Sequence, residues 1–181
     1  FAAVLDYVYT GECTIAEEEL SPLLQAAQRL QMDLLTDLAI DALAQRVTPG
    51  NCLDAWDLAD RLTQPKLVAR AREVALAGFE EVVLHDASAW LRAPLERVLE
   101  LLSHDSLAAS KEEVVYQAAL RWAKAQKPTL TASDCAPLFR TVRIPLLSLE
   151  FVEQSVRTEP LVEPGVVMTA LLQHVHVAPA C

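Results

Sequence analysis

The sequence predicts an all-α protein built from short helical hairpins. Apolar residues recur at i, i+3, i+4 and i+7 through most of the 181 residues. Helix-starting and helix-stopping residues punctuate that pattern at short intervals. Only Cys13 to Ile15 has the character of a strand, too short to form a sheet without partners elsewhere.

Phe1, Val4, Leu5 and Val8 form the first helical stripe, stopped by Thr10 and Gly11. Glu17, Glu18 and Glu19 complement the positive end of the next helix dipole, whose inner stripe is Leu20, Leu23, Leu24, Ala27 and Leu30. Pro22 is tolerated there only within the first turn. Asp33 is read as the cap of a partner helix with the stripe Leu34, Leu35, Leu38, Ala39, Ala42 and Leu43, ended by Thr48-Pro49-Gly50. Asn51 then caps a helix through Cys52, Ala55, Trp56, Ala59 and Leu62, and Pro65 opens one presenting Leu67, Val68, Ala71, Val74, Ala75 and Phe79.

Pro94 starts a helix through Leu95, Val98, Leu99 and Leu102. Ser110 with Glu113 matches a capping box ahead of Val114, Val115, Ala118, Ala119 and Trp122. Cys135 to Val142, Leu149 to Val156 and Val166 to Val175 complete about ten helices, interrupted by Ile144-Pro145 and by the breaker cluster from Pro160 to Gly165. No period of 33 or 34 residues emerges, which argues against ankyrin or tetratricopeptide arrays.

Composition narrows the function classes. With 52% hydrophobic and 22% charged residues the chain suits a packed core rather than a disordered tail. Its apolar runs are far shorter than the roughly 20 residues of a bilayer-spanning helix, so no membrane partner is expected. Fifteen Lys and Arg against 25 Asp and Glu leave a net charge of −10, which repels phosphate backbones and argues against nucleic acid as a ligand. Cys13, Cys52, Cys135 and Cys181 stand singly, as in proteins of a reducing compartment, and a cytoplasmic or nuclear location is expected. The start at Phe1, without Met or a signal segment, reads as a cut from a longer polypeptide.

Chemistry is hard to find. His174 and His176, two apart, fall on different sides of a helix, and adding Cys181 makes only a solvated tail, so no metal site is assigned. His85-Asp86 and His104-Asp105 read as turn or cap residues, and Arg140 with Arg143 as surface ion-pairing residues. There is no glycine-rich phosphate loop and no convergent nucleophile and base. No catalytic residue, cofactor or enzymatic activity is expected.

Two motif sets carry a resemblance. Phe1-Ala-Ala-Val-Leu-Asp-Tyr-Val-Tyr-Thr-Gly-Glu12 followed by Leu23-Leu-Gln-Ala-Ala-Gln-Arg-Leu-Gln-Met32 resembles the second half of a BTB (POZ) domain. The second set comprises Pro49-Gly-Asn-Cys-Leu53, Leu58-Ala-Asp60, Phe79-Glu-Glu-Val82, Leu101-Leu-Ser-His-Asp-Ser-Leu107, Glu112-Glu-Val-Val115 with Trp122, and Val142-Arg-Ile-Pro-Leu-Leu147. It resembles the BACK domain of kelch-like proteins.

The resemblance implies a helical C-terminal part of a BTB domain over residues 1–47 and a BACK domain over 48–178, with 48–80 as a 3-box-like start. It also implies a non-catalytic substrate adaptor of a cullin-3 ubiquitin ligase, homodimeric in its parent protein, which binds the amino-terminal region of cullin-3. The protein substrate would be held by a domain outside this chain, since four glycines, none paired, cannot supply kelch blades. By position, the cullin surface would fall on Tyr9, Asn51, Leu53, Trp56 and Asp60. Trp56 also fits core packing, because it shares a stripe with Ala55 and Ala59. Two other functions fit the same residues: a BTB–BACK scaffold or transcriptional cofactor that meets no cullin, and a helical enzyme whose polar groups converge only in three dimensions.

Overall fold

A computed structural model describes residues 20–85, 87–126 and 130–168, with the side chains of His85 and Ala87 excepted. The predicted first helix, the Cys13 to Ile15 strand, Glu17 to Glu19, Asp86 and the His174, His176, Cys181 set lie outside the described residues. Within them the chain is all-α, with no strand. It divides into two compact units between Ala75 and Leu76.

The first unit contains α1 (Leu20–Arg29), α2 (Asp33–Gln45), α3 (Cys52–Arg61) and most of α4 (Pro65–Ala77). Helices α1 and α2 pack as the predicted hairpin, joining Leu20, Leu23, Leu24 and Ala27 to Leu35, Ala39 and Ile40 in the core. Leu67 and Ala71 of α4 are also buried. The α2 stripe differs from its prediction, because Leu34 and Leu38 face solvent.

Gln31 ends α1 in the left-handed region (φ 55°) and Thr63 ends α3 in the same way (φ 53°). Each sits at the C′ position of a Schellman motif: Met32 N–H reaches Ala27 O at 2.9 Å, and Gln64 N–H reaches Ala59 O at 2.8 Å. Neither end has the glycine that usually signals this turn, so both were invisible to the sequence pattern. The Gln28 amide donates to Leu62 O at 2.9 Å, tying the C-terminal half of α1 to the end of α3.

The second unit contains α5 (Phe79–His85), α6 (Ala87–Arg92), α7 (Leu95–Leu102), α8 (Glu112–Ala125), α9 (Ala132–Thr141), a 3-10 turn (Ile144–Leu146) and α10 (Leu149–Phe151), which runs on into a π turn (Val152–Val156). Residues 164–168 are again helical. Helices α5 and α6 are too short to show a periodic stripe and were not predicted as separate elements. Their ends are closed by α8. Arg121 donates to Val83 O (3.0 Å), the Trp122 indole to Ala93 O (2.9 Å) and the Gln126 amide to Leu91 O (2.7 Å). In return the Trp90 indole donates to Ala118 O at 3.0 Å. Phe79 meets Trp90 edge to face at 5.7 Å, and Tyr116 packs between Phe139 and Phe151.

The observed caps differ from the predicted ones. Lys111, not Ser110, is the cap residue of α8, so Glu113 falls one position short of closing a capping box. Glu113 instead accepts from Ser148 N–H at 3.3 Å and Glu112 from Arg143 N–H at 2.7 Å, while Glu80 accepts from Ser110 N–H. The capping box that does form lies at α9, between Thr131 and Asp134. Asp33 is the first residue of α2 rather than its cap.

Two measurements test these assignments. Trp122→Phe leaves the Ala93 carbonyl unpaired in a buried site and should lower unfolding free energy in urea by about 1–3 kcal/mol. Hydrogen bonds from Ser110 and from Thr131 hold the carboxyls of Glu80 and Asp134 below their ordinary values of 4.5 and 3.8. Folded-state values below unfolded ones mean that this stability is complete above the ordinary values and is lost as pH falls through the folded ones. Thermal unfolding followed from neutral pH down to about pH 3 should show that loss, and Glu80→Gln should reduce it by the part due to Glu80.

Candidate protein-interaction groove

The turn between α2 and α3 is braced by Asn51. Its side chain makes no cap bond to α3, contrary to expectation, and reaches backward instead. Oδ1 accepts from Thr48 N–H at 2.8 Å, and Nδ2 donates to Arg46 O at 3.1 Å. The Cys52 thiol donates to Pro49 O at 3.4 Å. The start of α3 is therefore held to the end of α2 by side chains rather than by a helix cap.

Beside this turn, α1, α2, α3 and Leu67 of α4 enclose an open groove of about 370 Å³. Leu20, Leu43, Val47, Ala55 and Leu58 supply its apolar lining, and Gln25, Arg46, Asn51, Asp54 and Arg61 stand around it. An apolar floor with a few convergent polar groups is the usual form of a recognition site. Asn51, at the start of α3, and its residues Asp54, Ala55, Leu58 and Arg61 follow helical spacing along one side.

The structure brings one of the predicted residues, Asn51, into this groove. Leu53 and Trp56 turn to the other side of α3 and are buried, Trp56 at 3% exposure. Asp60 is exposed but outside the groove, and Tyr9 lies outside the described residues. Sequence reasoning placed Ala55 and Trp56 on one stripe; in the structure that stripe divides, Ala55 to the groove and Trp56 to the core. Asp54, Leu58 and Arg61 were missed, although their spacing from Asn51 held the signal.

The groove has little chemical reactivity of its own. Burial pushes the Cys52 thiol up to about 11, so it stays protonated and unreactive at neutral pH. A second cleft, in the other unit, is lined by His104, Lys111, Glu112, Glu113 and Arg143. Several of its polar groups are engaged in structure: His104 Nδ1 accepts from Ser106 N–H, Arg143 pairs with Asp105 at 3.3 Å, and Glu112 and Glu113 accept from the Arg143 and Ser148 N–H groups. Among the described residues no group of three or more His, Cys, Asp or Glu is placed to hold a metal ion, and no helix is long and apolar enough to cross a membrane.

Burial separates the roles of the two α3 sides. Trp56→Ala should cost about 3–5 kcal/mol in urea unfolding, as expected of a buried aromatic. Asn51→Ala should cost only about 1 kcal/mol.

Two family models match successive parts of the chain. The family model described as BTB And C-terminal Kelch (BACK) matches residues 52–157, and the BTB/POZ domain model matches residues 1–47. Kelch-like protein 3 of Homo sapiens is 34% identical over 160 residues, 88% of this chain and 27% of that protein. Kelch-like protein 7 of Mus musculus is 32% identical over the same shares. The chain thus spans about 27% of the length of these relatives.

Proposed function

Because this chain belongs to the BTB–BACK, kelch-like family, we propose that it is the interaction segment of a substrate adaptor for a cullin-3 ubiquitin ligase. Residues 1–47 act as the C-terminal part of the BTB domain and residues 48–178 as the BACK domain, with 48–80 as its 3-box-like start. The adaptor works in the cytoplasm or nucleus as a homodimer. It promotes ubiquitin transfer by positioning alone, and a further domain of the parent protein selects the protein substrate.

The open groove on α3 carries this reading. It is a concave apolar surface bordered by Arg46, Arg61 and Asp54, suited to an extended or helical segment of the amino-terminal region of cullin-3. Asn51 contributes on its rim, and Tyr9 and Asp60 extend the contact. Leu53 and Trp56, both buried, contribute by holding α3 in place rather than by touching the partner.

The test is isothermal titration of the full-length protein against the cullin-3 amino-terminal region. Ala55→Arg fills the groove without touching the core and should weaken binding by roughly tenfold or more at unchanged melting temperature. Absence of binding by the folded, dimeric protein would replace this reading with that of a BTB–BACK scaffold or transcriptional cofactor.

A further inference from the structure

Leu34 is 73% exposed and Leu38 54% exposed, on a helix whose other leucines pack inward or line the groove. Four residues apart, they form one ridge, half a turn around α2 from the groove residue Leu43. Asp33, Asp37 and Asp41 repeat the same spacing and form a second ridge alongside the first. Asp41 is occupied by an ion pair with Lys66, while Asp33 and Asp37 are exposed. The helix therefore shows solvent a pair of leucines edged on one side by carboxylates, and neither leucine is part of the core of its unit.

We infer that this face of α2 docks a basic amphipathic helix of another protein. Two apolar side chains at i and i+4 lie along Leu34 and Leu38, and Lys or Arg residues beside them meet Asp33 and Asp37. Charge selects this occupant. A second copy packed antiparallel about a two-fold axis would set the patch against itself and oppose aspartate to aspartate. An anionic lipid surface is repelled by the same carboxylates and by the net charge of −10. That charge draws a basic partner from a distance and makes its association salt-sensitive. The surface is separate from the groove and does not depend on the cullin reading.

A fluorescein-labelled peptide of about 14 residues, with leucines at i and i+4 and lysines flanking them, is titrated with the whole chain and read by anisotropy. The patterned peptide should bind roughly tenfold or more tighter than a scrambled peptide of equal composition. Leu34→Ser with Leu38→Ser should abolish that advantage at unchanged melting temperature, and Asp33→Asn with Asp37→Asn should flatten the salt dependence. Ala55→Arg in the groove should leave peptide binding intact. Equal binding of the scrambled peptide, or no effect of the leucine pair, would overturn the inference. A fall in melting temperature on replacing the leucines would assign them to packing. A dimer dissolved by the same pair would assign the face to a second copy.

Discussion

The indole N–H of Trp122 donates to the carbonyl of Ala93 inside the second unit, and Trp90 returns a bond to Ala118 on the same helix. Arg121 and Gln126 add bonds to Val83 and Leu91. The three bonds donated by Arg121, Trp122 and Gln126 answer one requirement: a short helix cannot pair its last carbonyls internally, and a buried carbonyl without a donor is costly. Helices α5 and α6 pack on one another through Phe79 and Trp90 and have their ends completed from α8. The same device recurs in the first unit, where Gln28 reaches Leu62, Asn51 reaches Arg46 and Arg70 reaches Ala44. Short helices are joined into hairpins by side chains that complete one another's ends.

Carboxylates play the reciprocal part for unpaired N–H groups. Glu80, Glu112 and Glu113 accept from the backbone of residues about thirty positions away, and Asp134 closes the start of its own helix. These four carboxylates thus serve the structure. The acidity that remains on the surface, notably along α2, is available to partners and sets their charge. Apolar and acidic ridges on one exposed face combine burial with electrostatic selection.

Function in such a molecule resides in the faces its helices leave open. The α2–α3 turn matters because the Asn51 brace sets where α3 begins and so which of its sides meets the groove. Once α3 is placed, Trp56 and Leu53 are committed to the core and Ala55, Leu58 and Arg61 to the groove. A recognition surface made this way needs no reactive group, and the protonated Cys52 thiol beside it adds none at neutral pH.

Sequence by itself determined the helical class, the hairpin of α1 and α2, the start of α4 at Pro65 and of α7 after Pro94, and most of the buried stripes. These follow from periodicity and from proline, whose effects are local. Tertiary structure decided the rest. The left-handed ends at Gln31 and Thr63 carry no glycine to announce them, and α5 and α6 have their ends completed from a helix thirty residues away. Which leucines of α2 were core, and whether Ala55 and Trp56 shared a face, depended on which neighbours packed against each side. A helical stripe one residue too wide is ambiguous until another helix covers part of it, and the site lies where the covering stops.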